Sequence, residues 1–245
     1  MKDLEALRLV HDIVRPVNYC EIGCQRGTSL RLARAPSIGI DVDFEIRCSL
    51  RAPTRLFRMS SDEFFARKSI KKILGAPIDF AFIDGMHLAE YAIRDFINLE
   101  RASHRNGLIA FDDVMPADII YAGREVKHKY WTGDVYRIVA ILKHYRPELE
   151  FRIYDVELKG FGLITGLNPS STTLLDALPK IEAELANGKW TLLSVEAIRA
   201  ALSPRPVSDL EPDLRKFAAS RSSKANWSWE LQQFLQRLKP RAAKT

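Results

Sequence analysis

The sequence predicts an α/β fold of the doubly wound type, in which helices cover both faces of a mostly parallel sheet. Along most of the 245 residues, short apolar runs typical of buried strands alternate with segments of helical periodicity. Acidic residues follow the ends of several of these runs. In a parallel sheet those ends share one edge, and ligands of such folds bind there. We therefore expect a ligand site at that edge.

The composition agrees with a folded protein from a reducing compartment. Apolar residues make up 47% of the chain and charged residues 28%, close to the averages of globular proteins. Three cysteines, Cys20, Cys24 and Cys48, form no CxxC pair, which favours packing over disulfides or zinc. No stretch reaches about 18 uncharged apolar residues, and the first residues lack an apolar signal core, so we expect a cytoplasmic protein without a membrane span.

The net charge of +6 is concentrated near the end of the sequence. Residues 201–245 hold nine Lys or Arg and four Asp or Glu, a difference of +5. A basic tail can bind nucleic acid, an anionic membrane or an acidic partner, but it is more often a solvated surface. Nucleic acid is therefore not the expected partner.

The first third of the chain alternates predicted helices and strands. It begins with an amphipathic helix, because Leu4, Leu7 and Val10 recur at helical spacing. Pro36 ends a later helix, and serine or aspartate residues are natural N-caps. The elements after the first helix are, in order, a strand at 19–22, a helix from the Gly23 turn to about Ala35, a strand at 37–41, one or two helical turns between Phe44 and Leu50, a strand at 54–59, and a helix opened by Ser60, Ser61 and Asp62.

A glycine-bracketed turn follows the first predicted strand. It reads Glu21-x-Gly23-x-x-x-Gly27, and Gln25 stands where a dinucleotide-binding loop has its middle glycine. That glycine admits a pyrophosphate, so the turn does not favour a dinucleotide. Asp41 ends the second strand, where an acid can accept hydrogen bonds from ribose hydroxyls. The pattern favours a nucleoside-containing ligand, although an ordinary strand–helix turn would also look like this.

The middle of the chain continues the alternation and ends in two antiparallel strands. Only antiparallel strands can be joined by a connection as short as the one around Lys159-Gly160. Pro116 and Gly123 interrupt an irregular segment that should pass over the ligand edge. The elements are a strand at 78–83, a long helix, a strand at 107–111, the irregular segment 114–133, a helix at 134–145, strands at 151–156 and 161–164, and C-terminal helices at 174–185, 194–202, 209–219 and 227–238.

Three acids at two strand ends form the second candidate site. Asp84 follows one predicted strand, and Asp112 and Asp113 follow the next. No Lys or Arg stands close to them in the sequence, so their mutual repulsion indicates a divalent cation. Alternatively, Asp112 only caps the following segment. His87, three residues after Asp84, can be a general base or can simply cap the next helix.

The segment Ile83-Asp84-Gly85-Met86-His87, followed by Tyr91, Asp95, Gly107 and Phe111-Asp112-Asp113, resembles the macrocin- and mycinamicin-type sugar O-methyltransferases. These belong to the class I S-adenosylmethionine-dependent methyltransferases, whose seven-stranded Rossmann-like sheet ends in an antiparallel hairpin. The resemblance departs at Asn106-Gly107, where Gly-Gly is frequent, and it does not reach the C-terminal third.

The resemblance implies a role for each matching residue. S-adenosylmethionine would contact Glu21, Gly23, Gln25, Gly27, Thr28, Asp41, Ser61 and Asp62, although the last two could serve only as helix caps. Mg²⁺ or Mn²⁺ would bind Asp84, Asp112 and Asp113. His87, with Asp84, would accept the proton of the acceptor hydroxyl.

The expected function is therefore methyl transfer to a hydroxyl of a sugar-containing or other polyhydroxylated small molecule. Residues 1–168 would form the S-adenosylmethionine-binding domain. Residues 169–245 would form a helical, basic extension that packs on the domain, on a second copy in a homo-oligomer, or on the acceptor. The alternative is a binding module that keeps the cofactor fold and holds RNA or another anionic partner with its tail.

Overall fold

The apolar runs of the sequence form one seven-stranded sheet in the computed structural model, which describes residues 1–225. The sheet order is β3-β2-β1-β4-β5-β7-β6; the first five strands are parallel, and β7 runs antiparallel to both of its neighbours, β5 and β6. This confirms the predicted fold class. The strands are β1 (Tyr19–Ile22), β2 (Ser37–Asp41), β3 (Thr54–Arg58), β4 (Ile78–Ile83), β5 (Ser103–Phe111), β6 (Glu150–Tyr154) and β7 (Phe161–Thr165).

Helices cover both faces of the sheet, as a doubly wound fold requires. Their bounds are α1 (Asp3–Val14), α2 (Ser61–Arg67), α3 (Ile70–Leu74), α4 (Ala89–Ala102), α5 (Arg137–Tyr145), α6 (Thr173–Ala186), α7 (Val195–Leu202) and α8 (Leu210–Ala225). Apolar side chains of α4, α5, α6 and α7 build the core on one face. Those of α1 and α8 build the core on the other, where these two helices contact each other.

The helix predicted after the Gly23 turn is absent, and so are the helical turns between Phe44 and Leu50. Only one 3-10 turn, Leu30–Leu32, forms between β1 and β2. The carbonyl oxygens of Gln25 and Arg26, which the first turn of a helix would use, accept hydrogen bonds from the amides of Glu45 and Arg47. The two irregular segments therefore pair with each other instead of each forming a helix.

The C-terminal helices are packed against the sheet. Ile181 of α6 and Ile198 of α7 are fully buried on one face, and Leu210 of α8 is fully buried on the other. The predicted helix at 227–238 lies outside the described residues, and the domain boundary at 168 stays a prediction. Within residues 1–225, no helix is both long and apolar enough to cross a membrane.

Candidate functional site

The predicted acids lie at the carboxyl edge of the sheet because neighbouring strands end in register. Ile22 at the end of β1 pairs with Ile40 of β2 and with Ile83 of β4, and Ile83 pairs with Phe111 of β5. The residues that follow these paired positions are therefore brought to one edge. They are Gly23, Asp41, Asp84, Asp112 and Asp113.

A crevice of about 370 Å³ opens at this edge between β1, β2 and β4. Its volume lies in the range of cofactor sites, and its walls combine apolar side chains with a few polar ones. Four of the predicted cofactor residues line it, namely Gly23, Gln25, Asp41 and Ser61. Asp84 and residues that the sequence did not single out for the cofactor complete it, among them Met59, Met86, Tyr91 and Asp95.

Asp41 is held in a fixed orientation at the crevice wall. Its Oδ2 accepts a hydrogen bond from the amide of Gln25 at 2.8 Å, and its Oδ1 accepts one from the amide of Asp43 at 3.0 Å. Each carboxylate oxygen can accept a further bond, so the side chain remains able to bind hydroxyl groups. The predicted ribose acceptor is thus at the crevice and already oriented.

Gly23 allows the ends of β1 and β4 to approach each other. Its φ is +88°, and a Cβ at this position would lie 1.8 Å from the carbonyl oxygen of Asp84. Any side chain at this position would therefore push Asp84 away from β1. It would also be strained, because residues other than glycine rarely adopt this left-handed backbone conformation. The fold itself therefore requires a glycine at this position.

Glu21 does not line the crevice. Its side chain is buried beneath the turn and accepts hydrogen bonds from the hydroxyls of Tyr19 at 2.7 Å and Ser29 at 2.5 Å. Burial raises the pKa of Glu21 to about 8, although the bonds from Ser29 and Tyr19 lower it. Glu21 is therefore buried within the protein, under the turn that follows β1, and does not face the crevice.

Three other predicted cofactor residues also lie outside the residues that line the crevice. Gly27 packs against the side chains of Ile46 and Cys48, and Thr28 is exposed. Asp62 forms an ion pair with Arg94 of α4. The N-cap of α2 is Ser60, whose hydroxyl accepts the amide of Glu63, so Ser61 and Asp62 do not cap this helix. Contact of these residues with the cofactor stays a prediction.

Asp84 and Asp113 lie on either side of His87. The Nε2 atom of His87 is 3.3 Å from Oδ1 of Asp84 and 3.1 Å from Oδ2 of Asp113. The three possible ligand atoms all lie within 4.8 Å of one another, close enough for a single metal ion. The sequence suggested Asp84, Asp112 and Asp113 as metal ligands, whereas this group consists of Asp84, His87 and Asp113.

Asp112 contacts Lys159 instead. The ammonium of Lys159 lies 3.2 Å from Oδ2 of Asp112 and 3.6 Å from Oδ1 of Asp113. No Lys or Arg is close to the three acids in the sequence, but the fold brings Lys159 to them, so part of their repulsion is compensated without a metal. The sequence carried a signal for this contact, because an antiparallel β7 must begin beside the end of β5 and so places the Lys159 turn next to Asp112.

Burial and mutual repulsion shift the proton affinities of the cluster. Burial and the charge of Asp113 raise the pKa of Asp112 to about 7, and burial raises that of Asp113 to about 6. Burial alone would lower the pKa of His87, but its hydrogen bond to Asp84 and the charges of both carboxylates raise it to about 9. Without a metal, His87 is thus protonated at neutral pH.

The irregular segment 114–133 supports His87 from the solvent side. The carbonyl oxygen of Trp131 lies 3.0 Å from Nδ1 of His87, and the two rings stack with centroids 5.0 Å apart. Gly133 packs against the backbone of His87. Asp134 accepts a hydrogen bond at 2.8 Å from the amide of Ala89, the first residue of α4. Sequence reasoning placed this segment over the edge but did not identify Trp131.

Comparison with known proteins agrees with this geometry. Residues 20–114 match a sequence family described as a methyltransferase domain. Cofactor-bound Rv0187 from MTB has a similar fold, with 14% identity, coverage of 68% of this chain and 81% of that chain, and a TM-score of 0.51. No curated protein sequence matches the chain significantly.

Two further structures show weaker likeness. The O-methyltransferase TomG from Streptomyces achromogenes, solved with SAM, is 14% identical, with coverage of 67% of this chain and 79% of that chain and a TM-score of 0.49. MycE from the mycinamycin biosynthetic pathway, solved with Mg and SAH, is 17% identical, with coverage of 67% and 49% and a TM-score of 0.46.

Proposed function

We propose that the chain is a class I S-adenosylmethionine-dependent methyltransferase, in line with the methyltransferase-domain match over residues 20–114, and that it methylates a hydroxyl of a sugar-containing or other polyhydroxylated small molecule. One observation carries the proposal: Asp84 belongs to both parts of the site. It lines the crevice and also contacts His87 at 3.3 Å. A methyl donor in the crevice would therefore lie beside groups that orient and deprotonate a hydroxyl.

The crevice residues suit a nucleoside with an amino acid attached. Asp41 would accept hydrogen bonds from the ribose hydroxyls, and Ser61 and Asp95 are further polar residues that line the crevice. In dinucleotide-binding folds the middle glycine of the turn makes room for a pyrophosphate, and Gln25 occupies that position here. The proposed ligand of this crevice is therefore S-adenosylmethionine and not NAD.

The pair formed by Asp84 and His87 is the proposed base. Burial and the charge of Asp112 raise the pKa of Asp84 above its usual range, and the pKa of His87 is also raised. A proton held between them can move to Asp84 or to solvent, after which the imidazole accepts the proton of the acceptor hydroxyl. The charged cluster also favours an acceptor with several hydroxyl groups, each of which can donate a hydrogen bond.

Asp84, His87 and Asp113 also fit a divalent cation such as Mg²⁺ or Mn²⁺. Oδ1 of Asp113 accepts no hydrogen bond from a described residue, although this side chain is only 1% exposed. Such oxygens are suitable ligands. A bound cation would supply a Lewis acid beside the acceptor hydroxyl, and Asp84, His87 and Asp113 are the residues that would hold it.

Calorimetry and methyl-transfer assays test the proposal. We expect S-adenosylhomocysteine to bind with a micromolar Kd and NAD not to bind. Asp41→Ala should weaken that binding by about 1–3 kcal/mol, the contribution of a charge-assisted hydrogen bond. Asp12→Ala is the matched control, because Asp12 lies on α1 and pairs with the exposed Arg34.

Activity is then measured with labelled S-adenosylmethionine on a panel of glycosides, polyols and amines, with and without EDTA. Transfer to hydroxyl acceptors that EDTA abolishes would support both parts of the proposal. Transfer only to amines would contradict the acceptor class, and full turnover in EDTA would contradict the metal. Salt-dependent RNA retention without methyl transfer would favour the binding module instead.

A further inference from the structure

Lys159 is fixed beside the acid pair by the geometry of the hairpin. The amide of Met115, two residues after Asp113, donates to the carbonyl oxygen of Lys159 at 2.7 Å. Gly160, with φ +67°, lets the turn close on Met115, since a Cβ there would lie 2.6 Å from that side chain. The lysine side chain is 25% exposed, so one side of it faces solvent.

The acid pair is incompletely satisfied even with Lys159 present. Asp112 and Asp113 are 2% and 1% exposed, yet Oδ1 of Asp112 accepts no hydrogen bond from a described residue. Oδ2 of Asp113 has an ion-pair contact with His87 at 3.1 Å, but its Oδ1 accepts no hydrogen bond from a described residue. Lys159 approaches Asp113 only to 3.6 Å, which is longer than a hydrogen bond. Buried carboxylate oxygens without donors normally require another cation or donor.

We propose that Lys159 is an internal counter-ion of Asp112 and Asp113 that opposes the binding of a divalent cation at Asp84, His87 and Asp113, and so weakens the affinity of the site for metal. This inference rests on the metal part of the proposed function. The ammonium and the cation would both lie next to Asp113, and their like charges repel each other strongly at such short distances in a buried site. Because the lysine side chain is partly exposed, its ammonium could move from the acids into solvent when a cation binds.

Titration calorimetry with MgCl₂ and MnCl₂ tests this directly. Lys159→Met should bind each metal roughly tenfold or more tightly than the wild type, because one positive charge is removed next to the ligands. Lys159→Arg keeps the charge and should bind metal like the wild type. Lys72→Met is the matched control, since Lys72 is exposed on α3 near the opposite edge of the sheet.

Binding of S-adenosylhomocysteine to the same preparations shows whether each variant keeps its crevice. If Lys159→Met does not fold, Lys159→Gln replaces it with a neutral but polar side chain. Equal metal affinity in the wild type and the neutral variant would overturn the inference and leave the proposed function standing. Metal binding by neither protein, with cofactor binding intact, would overturn both the inference and the metal part of the proposed function.

Discussion

His87 is the side chain on which the proposed proton transfer depends. It contacts Asp84 and Asp113 but does not line the cofactor crevice. His87→Gln should therefore lower kcat about 100-fold or more, as expected on loss of a general base, while the Kd for S-adenosylhomocysteine stays near that of the wild type. His128→Gln, in the exposed part of segment 114–133, should change neither quantity.

The protonation state of His87 can be measured independently of activity. Because nearby carboxylates raise its pKa to about 9, the imidazole of the metal-free protein should remain protonated through pH 8. Its NMR signals should shift only near pH 9 and should be missing from the spectrum of His87→Gln. If His87→Gln left the rate unchanged, His87 would not be the base, and Asp84 would have to accept the proton.

Glu21 should make the stability of the protein depend on pH. Its pKa is raised to about 8 in the folded state, from an ordinary value near 4.5. Below about pH 4.5 both states are protonated; between pH 4.5 and 8 only the unfolded state loses the proton, so the free energy of unfolding falls. The Glu21→Gln variant has no proton to lose at this position, so its free energy of unfolding should rise relative to that of the wild type between pH 4.5 and 8.

Urea unfolding of both proteins at pH 5 and pH 8 measures the effect. Glu45→Gln serves as the control, since Glu45 is exposed and pairs with Arg47. A stability difference between Glu21→Gln and the wild type that does not change with pH would show that Glu21 is ionised in the folded protein.

Single residues at strand ends could be predicted from the sequence, whereas the predicted hairpin brings the Lys159 turn only into the neighbourhood of the acids and does not determine which residue contacts Asp112. Asp84 and Asp113 directly follow strands whose apolar runs are clear, so their common edge follows from the parallel sheet. Lys159 meets Asp112 across 47 residues of sequence. Its position depends on the length and register of the final hairpin, which apolar patterning does not determine to within one residue.

Among the secondary-structure elements, segment 114–133 should position His87 through Gly133. A Cβ at Gly133 would lie 1.6 Å from the carbonyl oxygen of His87, and the φ of +58° adds about 1–2 kcal/mol of strain for a residue with a side chain. Gly133→Ala should therefore displace the segment and lower kcat about tenfold or more, with cofactor affinity retained because the crevice does not include this glycine.

Gly123→Ala is the control within the same segment, since no atom lies within 4 Å of its added methyl group. Steady-state kinetics and calorimetry on both variants distinguish positioning from general instability. Should Gly133→Ala keep the wild-type kcat, the segment would have no part in orienting His87.

The element after β1 shows where sequence patterns mislead. Apolar spacing in residues 28–35 suggested a helix, but Gln25 and Gly27 adopt left-handed backbone conformations with φ of +35° and +78°. Their segment pairs with residues 45–47 through backbone hydrogen bonds. Such pairing between two irregular segments has no periodic pattern, so tertiary contacts decided the outcome and local propensity did not.

For the whole molecule, the alternation of strands and helices was enough to predict the sheet and its final hairpin. The placement of the C-terminal helices was not predictable, because amphipathic helices carry no information on which face of a sheet they cover. The structure divides them: α6 and α7 cover one face, and α8 lies with α1 on the other. Arg221 of α8 also forms an ion pair with Asp79 of β4.

A buried ion pair joins the helices of one face to the chain after the sheet. Arg146, at the end of α5, donates two hydrogen bonds to Glu100 of α4 at 2.7 and 2.9 Å, and both side chains are nearly inaccessible. The amide of Asn168, which follows β7, also donates to Glu100 at 2.9 Å. Glu100 thus receives donors from two other parts of the chain.

Arg146→Met should therefore destabilise the protein by about 3–5 kcal/mol, because it leaves the Glu100 carboxylate buried without its partner. Arg146→Met combined with Glu100→Leu should recover much of that loss, since no charge then remains buried. Arg215→Met is the control: Arg215 pairs with Glu211 on the exposed surface of α8, and its loss should cost less than about 1 kcal/mol. Chemical denaturation of the four proteins, including the wild type, gives these differences directly. If Arg146→Met were no less stable than Arg215→Met, Glu100 would have to be neutral or solvated in the folded protein, and the buried pair would not hold α4, α5 and the chain after β7 together.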